Sequence, residues 1–397
     1  MKVLMLGPGE PSIFNSGLGV AVDQISQELS KSVELQIIQA ATTESSVSES
    51  STIAFKKSKH VFDEISVQQD LTIIDIKTNI PAYFYANLSD QKAVVAVDST
   101  VKKSLEDFTV QMLHAAHPLA FDLVYAHDWT TILTAIALKK EFNKPYILHI
   151  HSLDFDRTTT LSHSWIFELE REGMQLAEKV IAVSHYHAEV MRKHYGIDSN
   201  KIVVIHHGVG DLPKVKKEKV FPEDLVLFAG RLTGQKGPAI FLEIAAMILA
   251  ERPNTRFVMA GSGELLKQLI ESGANSQLSG KFHFTGQLDQ DKLFQLYQMS
   301  DLYCMPSVSE PFGLTAVEAA AFDLPVVLSK QSGASEILTA AKTANHWDIE
   351  AFAKKIIKLL DDPKACTSMV EKNKTALAER TWGKVAQEIA SLFKVVI

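Results

Sequence analysis

The chain has 397 residues, 46% of them hydrophobic and 22% charged, and its formal net charge is −7 at pH 7. This length predicts two or three domains with ample material for large cores. The acidic balance argues against a nucleic-acid partner, because surfaces that bind nucleic acids are rich in lysine and arginine. The two cysteines, Cys304 and Cys366, supply neither a disulfide framework nor a cysteine metal cluster.

Targeting segments are not expected from this sequence. Only the four apolar residues 3–6 separate the first two residues from Gly7, which is too few for a signal peptide. No stretch approaches the roughly 18 apolar residues that a membrane-spanning helix needs. We therefore expect a cytoplasmic protein without a transmembrane segment.

The first half of the chain is predicted to alternate strands with helices. Residues 3–6 predict a buried strand, and a helical pattern opens at Ser16-Gly17-Leu18-Gly19. A strand, a glycine loop and a helix in succession are how α/β folds bring backbone amides to phosphates. The G-x-G-x-x-G spacing of dinucleotide-binding domains is absent, and a pair of glycines is also compatible with an ordinary turn.

Three predicted strands of this half, 122–126, 145–150 and 202–205, run into segments that contain histidine. In order, these segments are His127-Asp128-Trp129, His151 and His206-His207. Open α/β sheets bind ligands at the carboxyl ends of their strands, so these residues are candidates for a site. A structural role is the alternative, since a tryptophan or a histidine at a strand end is often simply buried.

The stretch 211–224 is rich in lysine, proline and glutamate and has no apolar periodicity, which indicates an interdomain linker. A second series of strands and helices then begins at residue 225, and its first strand ends in a glycine loop that carries Arg231 and Lys236. Alternation of this kind predicts parallel, doubly wound sheets. We therefore predict an α/β fold with two Rossmann-like domains, 1–210 and 225–380.

A later loop of the second half, between a predicted strand and an alanine-rich helix, carries two glutamates. Pro311 and Gly313 break the backbone there, and the start of a helix offers N–H groups and partial positive charge to a phosphate. We expect Glu310 and Glu318, which bracket this anion site, to hold hydroxyl groups of the molecule that carries the phosphate. The alternative is structural, because residues 315–318 match a capping box in which Glu318 satisfies the helix N-terminus.

Together these motifs resemble those of retaining nucleotide-sugar glycosyltransferases of GT-B architecture. Residues 310–318 are similar to the E-x7-E signature, 230–237 resemble the second signature loop, and 16–19 resemble the N-terminal glycine loop. The histidine segments of the first half are most similar to the glycogen-synthase-like branch. The resemblance covers nearly the whole chain. It implies that the two domains face a cleft and that a C-terminal helix, 381–397, crosses back to the first domain.

The resemblance also implies a donor site. Arg231 and Lys236 would bind the diphosphate, which agrees with their chemistry, since a departing phosphate needs cations aimed at it. Glu318 would accept hydrogen bonds from the ribose hydroxyls, and Glu310 would contact the transferred sugar and stabilise positive charge on its ring. Further donor contacts would come from residues at two helix starts, namely Gly17, Gly19, Gly313, Leu314 and Thr315.

The resemblance also implies a catalytic role for His151, which would contact the C6 hydroxyl or the anomeric region of the transferred sugar. His127, Asp128 and Trp129 would form the acceptor site, because an aromatic face stacks on a sugar ring and a carboxylate holds its hydroxyls. His207 is a departure from the family, which has asparagine at this position. The imidazole would bring a titratable group there.

Asp154 and Asp156 form an Asp-x-Asp pair, which is a possible metal site. The neighbouring Arg157 offers the pair an ordinary ionic partner, and the pair lies in a different predicted domain from the diphosphate cations. Because Arg231, Lys236 and the helix N-termini can take the part of a divalent ion, we expect catalysis without a metal or another cofactor.

The expected function is therefore hexosyl transfer, with glucose as the sugar, from UDP- or ADP-glucose to an oligo- or polysaccharide acceptor. Synthesis of an α-1,4-glucan such as glycogen is one candidate. The alternatives are a transferase for another sugar and acceptor in cell-surface polysaccharide assembly, and a non-catalytic regulator that binds nucleotide sugars. The sequence leaves the donor base, the linkage and the oligomeric state open.

Overall fold

The computed structural model describes residues 1–7, 17–41, 54–58, 71–77, 91–158, 164–210, 221–274, 278 and 280–397. The described residues form two separate sheets, one in each half of the chain. This confirms the predicted α/β class with two doubly wound domains. Residues 211–220 of the predicted linker lie outside the described residues, and so does Ser16.

The first sheet contains eight described strands: β1 (Lys2–Gly7), β2 (Glu34–Ala41), β3 (Ala54–Ser58), β4 (Leu71–Lys77), β5 (Leu123–His127), β6 (Tyr146–Ile150), β7 (Lys179–Ala182) and β8 (Ile202–Val204). Their spatial order is β3-β4-β2-β1-β5-β6-β7-β8. All neighbouring pairs are parallel except β3 and β4, which are antiparallel at one edge. The described helices of this half are α1 (Gly17–Leu29), α2 (Gln91–Ala116), α3 (Trp129–Phe142), α4 (Asp154–Thr158), α5 (Trp165–Leu176) and α6 (His185–His194).

The second sheet contains six described strands, all parallel: β9 (Asp224–Ala229), β10 (Thr255–Ala260), β11 (Phe282–Gly286), β12 (Leu302–Met305), β13 (Val326–Ser329) and β14 (Lys342–Ala344). Their order is β11-β10-β9-β12-β13-β14. The described helices are α7 (Pro238–Glu251), α8 (Leu266–Ala274), α9 (Gln290–Met299), α10 (Leu314–Ala321), α11 (Ala334–Ile337), α12 (Ile349–Asp361), α13 (Pro363–Ala378) and α14 (Trp382–Val396). A short 3₁₀ helix spans Gly234–Lys236.

The central strands are apolar on both sides, because helices cover both faces of each sheet. In β1, Val3 and Met5 belong to one buried cluster, whereas Leu4 and Leu6 belong to another on the opposite face. Successive side chains of a strand point to opposite faces, and strands buried on both faces therefore become continuous apolar runs. The carboxyl ends of the strands are the place left for polar side chains.

Helix starts in the first domain are fixed by serine side chains. Ser184 accepts a hydrogen bond from the His187 N–H at 3.0 Å, as predicted for the N-cap of α6. Ser164 accepts a hydrogen bond from the Phe167 N–H in the same way at the start of α5. Such caps satisfy an N–H group that has no partner within the helix.

The C-terminal helix α14 packs on the first domain, which confirms the predicted crossing. The chain returns beside Val209, whose N–H donates to the Arg380 carbonyl at 2.8 Å. Trp382 and Phe393 are buried with Tyr125 in a cluster that also includes residues of β1 and α1. No helix in the described ranges is both long and apolar enough to cross a membrane.

We expect the change Phe393→Ala to lower the free energy of unfolding by about 3 to 5 kcal/mol, because it empties a fully buried site. The ring centroid of Phe393 lies 5.1 Å from that of Tyr125, so the cavity opens next to β5. Urea titration followed by circular dichroism measures the change. Val395→Ala is the matched control, since Val395 lies on the same helix with 74% of its surface exposed. Equal stability of the two variants would contradict a stabilising role for this helix.

Candidate active site

A cavity of about 890 Å³ lies between the two domains and is lined by residues of both. Most of the predicted site residues line this cavity: Gly17, His151, Arg231, Lys236, Glu310, Gly313, Leu314, Thr315 and Glu318. Four predicted residues are not among those that line it: Gly19, His127, Asp128 and Trp129. Of the residues predicted to bind the donor, all but Gly19 line this cavity, whereas none of the three predicted acceptor residues does.

Two loops of the second domain pack against each other through their backbones. Gly237 has a φ of +67°, and a Cβ atom on it would lie 2.3 Å from the Pro306 carbonyl oxygen. Only glycine fits such a position without displacing the neighbouring loop. The Val308 N–H also donates to the Gln235 carbonyl at 2.8 Å. These contacts fix the 3₁₀ turn of Lys236 against the loop that leads to Glu310.

The packing of these loops brings Lys236 and Glu310 together. Lys236 Nζ lies 2.5 Å from Glu310 Oε2, and the Ser307 hydroxyl donates to the same oxygen at 3.3 Å. Glu310 is buried and Lys236 is half-buried, so the pair is largely withdrawn from solvent yet lines the cavity. A cation and a carboxylate are thus adjacent in the cleft, although the sequence predicts a separate role for each of them.

The helix α10 starts in the cavity at Leu314, and Gly313 is its N-cap with a φ of +102° and no side-chain cap. The predicted capping box at 315–318 is therefore wrong, because Thr315 lies inside the helix. A Cβ atom on Gly313 would lie 2.9 Å from Met305 Cε and 3.2 Å from Glu310 Cγ, so glycine keeps this helix start close to the ion pair. An uncapped helix start is a favourable place for an anion.

The start of α1 in the first domain faces the start of α10 in the second. A Cβ atom on Gly17 would lie 3.1 Å from Leu314 Cδ1, so the two helices approach closely at this point. Gly19 lies within α1 and is buried, which leaves Gly17 as the predicted glycine at the cavity. The partial positive ends of two helices thus converge from opposite domains.

Glu318 is half-buried at the cavity wall and accepts a hydrogen bond from the Tyr297 hydroxyl at 3.1 Å. Burial raises the pKa of Glu318 to about 7, and the Tyr297 bond opposes this only in part. The carboxyl group is therefore close to the balance between its neutral and charged forms at neutral pH. Hydroxyl donors from a ligand would stabilise the charged form.

Arg231 lines the cavity on the same glycine loop as Lys236. Its guanidinium donates to the Gln235 Oε1 atom at 3.4 Å, and Gln235 itself is buried. The loop thus presents one planar cation and one point charge to the cleft. Such a combination suits several oxygens of one diphosphate.

A chain of hydrogen-bonded histidines lies under the first-domain side of the cleft. His151 Nε2 bonds to His127 Nδ1 at 2.9 Å, and His151 Nδ1 bonds to His207 Nε2 at 3.1 Å. A neutral imidazole has one donor nitrogen and one acceptor nitrogen. The three rings must therefore adopt tautomers whose hydrogen bonds all run in the same direction along the chain of histidines. Both ring nitrogens of His151 are engaged, and a sugar hydroxyl could bond to either only by displacing a histidine.

These histidines are held neutral by burial. It lowers the pKa of His127 and that of His207 to about 3, and it lowers the pKa of His151 well below its ordinary value. His149 stacks on His151 with ring centroids 4.2 Å apart, and its Nδ1 lies 2.6 Å from the Tyr125 hydroxyl. Since His149 is fully buried, it is a core residue.

The predicted acceptor site at residues 127–129 is corrected by the structure. Trp129 is 2% exposed and packs edge-on against Trp165, so its face cannot stack on a sugar. Asp128 accepts the N–H of His151 at 2.6 Å, and burial raises its pKa to about 6. Its backbone has a φ of +54°, which an aspartate tolerates only with local support. Asp128 therefore orients the end of β6, and His127 belongs to the buried histidine chain.

Asp154 and Asp156 each form hydrogen bonds with other side chains of the protein. Asp154 Oδ2 accepts a hydrogen bond from the Ser164 hydroxyl at 2.7 Å. Asp156 is bound by the Ser309 hydroxyl at 2.5 Å and lies 3.2 Å from His187 Nε2. Although burial raises the pKa of Asp156, His187 and these hydrogen bonds outweigh it and lower the pKa below the ordinary value.

Sequence reasoning missed several polar residues at the boundary between the domains, among them Ser309, Tyr186 and Glu336. They form hydrogen bonds between positions more than 120 residues apart. Little in the sequence indicates a role for these residues, since Glu336 only follows the end of a predicted strand and Ser309 only precedes Glu310.

Two family descriptions match successive parts of the chain: residues 16–211 match "Glycosyltransferase Family 4", and residues 213–376 match "Glycosyl transferases group 1". A glycogen synthase of Mycobacterium tuberculosis is 27% identical over 285 residues, which are 68% of each chain. D-inositol 3-phosphate glycosyltransferase 1 of Catenulispora acidiphila is 26% identical over 320 residues, 74% of this chain and 76% of the relative. The fold matches an Escherichia coli structure described as trehalose-6-phosphate bound with UDP-2-fluoro glucose, with a TM-score of 0.77, 14% identity and full coverage of both chains.

The change His207→Asn should make the protein relatively more stable in acid than the wild type. The pKa of His207 is about 3 in the folded protein and about 6.5 when unfolded. Between these values the unfolded state binds the extra proton, so stability falls as pH falls. From pH 6.5 to pH 5, the difference in unfolding free energy between variant and wild type should shift by about 1 to 2 kcal/mol in favour of the variant.

Urea titrations of both proteins at several pH values measure this shift. Comparing the two proteins cancels the contributions of other buried groups, such as Asp128. His114→Asn is the control, because His114 lies on α2 away from the cleft. A difference between wild type and His207→Asn that does not vary with pH would show that His207 is not held neutral.

Proposed function

We propose that this chain, whose two halves match glycosyltransferase families, transfers glucose, with retention of configuration, from UDP- or ADP-glucose to a carbohydrate acceptor. The Lys236–Glu310 pair carries this proposal, because it lies in the cleft next to the uncapped start of α10. There a diphosphate would meet positive charge while the attached sugar meets a carboxylate. The glycogen synthase relative makes an α-1,4-glucan the first acceptor to test.

Lys236 and Arg231 are proposed to bind the diphosphate as the bond between the sugar C1 and the phosphate oxygen breaks. Charge then develops on the leaving phosphate, and preorganised cations in a cleft stabilise it more than water does. The starts of α1 and α10 would add their N–H groups. Lys236 neutralises Glu310, and a bound diphosphate would compete for the same ammonium group.

Glu310 is proposed to contact the hydroxyls of the transferred sugar and to stabilise positive charge on its ring. Glu318 would accept hydrogen bonds from the ribose hydroxyls. Tyr297 already holds one oxygen of Glu318, which leaves the carboxyl oriented for a second partner. The two glutamates thus act on different parts of one donor molecule.

Retention is proposed to follow from attack on the same face that the phosphate leaves. The acceptor oxygen bonds to C1 as the phosphate departs, and the acceptor proton passes to a phosphate oxygen. A covalent sugar–enzyme intermediate would need a free carboxylate on the opposite face. In this proposal Glu310 contacts the sugar hydroxyls and does not act as a nucleophile.

Metal independence is part of the proposal. It is supported by two cationic side chains and two helix starts at one cavity, which supply the charge that a divalent ion gives elsewhere. Asp156, half of the candidate metal pair, is bound to Ser309 and close to His187.

A second acceptor class is also worth testing. The inositol-phosphate glycosyltransferase relative is as similar to this chain as the glycogen synthase is, and it covers slightly more of it. The acceptor is therefore proposed only as a carbohydrate or polyol, with an α-glucan and an inositol phosphate as its two test cases.

A donor panel tests the proposed function. UDP- and ADP-linked glucose, galactose, mannose and N-acetylglucosamine are incubated with glycogen or inositol 3-phosphate, and release of nucleoside diphosphate is measured with and without EDTA. We expect one glucose donor to be used in an acceptor-dependent way and EDTA to have no effect. If neither glucose donor is used with either acceptor, the proposed function fails, and reversible loss of activity in EDTA would refute metal independence.

The change Lys236→Ala should lower the transfer rate by at least about 100-fold, because it removes charge from the leaving phosphate and leaves Glu310 without its cation. Steady-state release of nucleoside diphosphate measures the effect. Lys354→Ala is the control, since Lys354 lies in the same domain with its side chain 73% exposed. A rate within twofold of the wild type would remove the proposed phosphate contact.

A further inference from the structure

Both neighbours of Glu310 are held by the opposite domain. The Ser309 hydroxyl donates to Asp156 Oδ1 at 2.5 Å and lies 2.9 Å from the Tyr186 hydroxyl. On the other side of Glu310, the Pro311 carbonyl accepts a hydrogen bond from the Ser184 hydroxyl at 2.5 Å. The glutamate proposed to contact the sugar thus lies between two anchors that come from the first domain.

Glu336 of the second domain binds the N-terminus of α6 in the first. Its carboxylate accepts the N–H groups of His185 and Tyr186, each at 2.8 Å, and lies 2.7 Å from His206 Nε2. Although burial raises the pKa of Glu336, the bonds to His206, His185 and Tyr186 outweigh it and lower the pKa below the ordinary value. A carboxylate at a helix N-terminus is favoured by both the free N–H groups and the helix dipole.

The segment 331–336 connects these two sets of contacts. The Glu310 N–H donates to the Gln331 carbonyl at 2.8 Å, and the Gly333 N–H donates to the Glu310 carbonyl at 2.9 Å. A Cβ atom on Gly333 would lie 2.2 Å from the Pro311 carbonyl oxygen and 2.6 Å from Ser184 Cβ. The backbone of Glu310 is therefore enclosed between the segment that carries Glu336 and the first domain.

We propose that Glu336 is a positioning residue that docks the two domains and thereby orients Glu310 for sugar transfer. This inference rests on the proposed function, because it takes Glu310 as the sugar-contacting carboxylate. The diphosphate cations Arg231 and Lys236 and the ribose site at Glu318 belong to the second domain alone. Of the proposed nucleotide contacts, only the start of α1 lies in the first domain, so loss of the Glu336 contacts should affect nucleotide binding little and transfer strongly.

The variant Glu336→Gln tests the proposal with little change in shape. The carboxylate accepts a hydrogen bond from all three partners. In glutamine an NH2 group replaces one of the two oxygens, so a hydrogen-bond donor would then face another donor. We expect kcat to fall at least tenfold, while the dissociation constants of UDP and ADP, measured by calorimetry, stay within twofold. We also expect small-angle scattering of the ligand-free variant to give a larger radius of gyration than the wild type.

Glu350→Gln is the matched control, because it removes one negative charge from an exposed position of the same domain. Tyr186→Phe is a milder second variant, which deletes only the hydroxyl that faces Ser309 and should lower kcat two- to fivefold. If Glu336→Gln fails to fold, Glu336→Asp tests the same contacts by the same measurements, because it keeps the charge but draws the carboxylate back from His185, Tyr186 and His206. Wild-type kcat and radius of gyration in the variants would overturn the proposal, and so would parallel losses of kcat and nucleotide affinity.

Scattering separates this proposal from the proposed function. If the wild type transfers no sugar from any donor, the proposed function fails, and the radius of gyration of Glu336→Gln still tests the docking role of Glu336. If the wild type is active and the variants match it in rate and size, the docking role fails alone.

Discussion

The close backbone contact between Gly237 and Pro306 is the constraint on which the candidate site depends. It allows the Lys236 turn to lie directly against the loop of Glu310, so the ammonium and the carboxylate neutralise each other. Without that neighbour the buried carboxylate would cost about 3 to 5 kcal/mol, in line with other broken buried pairs. The cation expected at the diphosphate therefore also maintains the glutamate expected at the sugar, and the two cannot be varied independently.

The two sides of the cleft differ in their electrostatics. The second domain presents charged side chains and a helix start, whereas the first domain presents a helix start, neutral buried imidazoles and Arg157, whose guanidinium is bound to Glu170. A neutral histidine chain adds hydrogen-bonding groups without adding charge that would compete with Lys236 and Arg231 for a diphosphate. The histidine at position 207 extends this chain by one ring, which an asparagine could not do in the same way.

Local patterns in the sequence predict the strands, the two domains and the loops of Arg231, Glu310 and Glu318, because strand ends and glycine breaks are visible in single segments. The ion pair between Lys236 and Glu310 joins positions 74 residues apart, and no local sequence pattern indicates such a contact. Trp129 was misjudged because the end of a strand marks the edge of a sheet but does not show which side chains turn back into the core. Likewise the pattern at 315–318 suggests Thr315 as the N-cap of α10, whereas the N-cap is Gly313, which has no side chain to mark it.

The position of α14 has a consequence for biosynthesis. The core of the first domain includes Trp382 and Phe393, which leave the ribosome after the strands of the second domain. The first domain therefore cannot complete its packing while the second is being made, although domains often fold in order as they emerge. Its face beneath α14 stays uncovered during that time, and it is closed only by a contact of very long sequence separation. A chain cut short before residue 382 would expose that apolar face permanently and become a substrate for chaperones or aggregation.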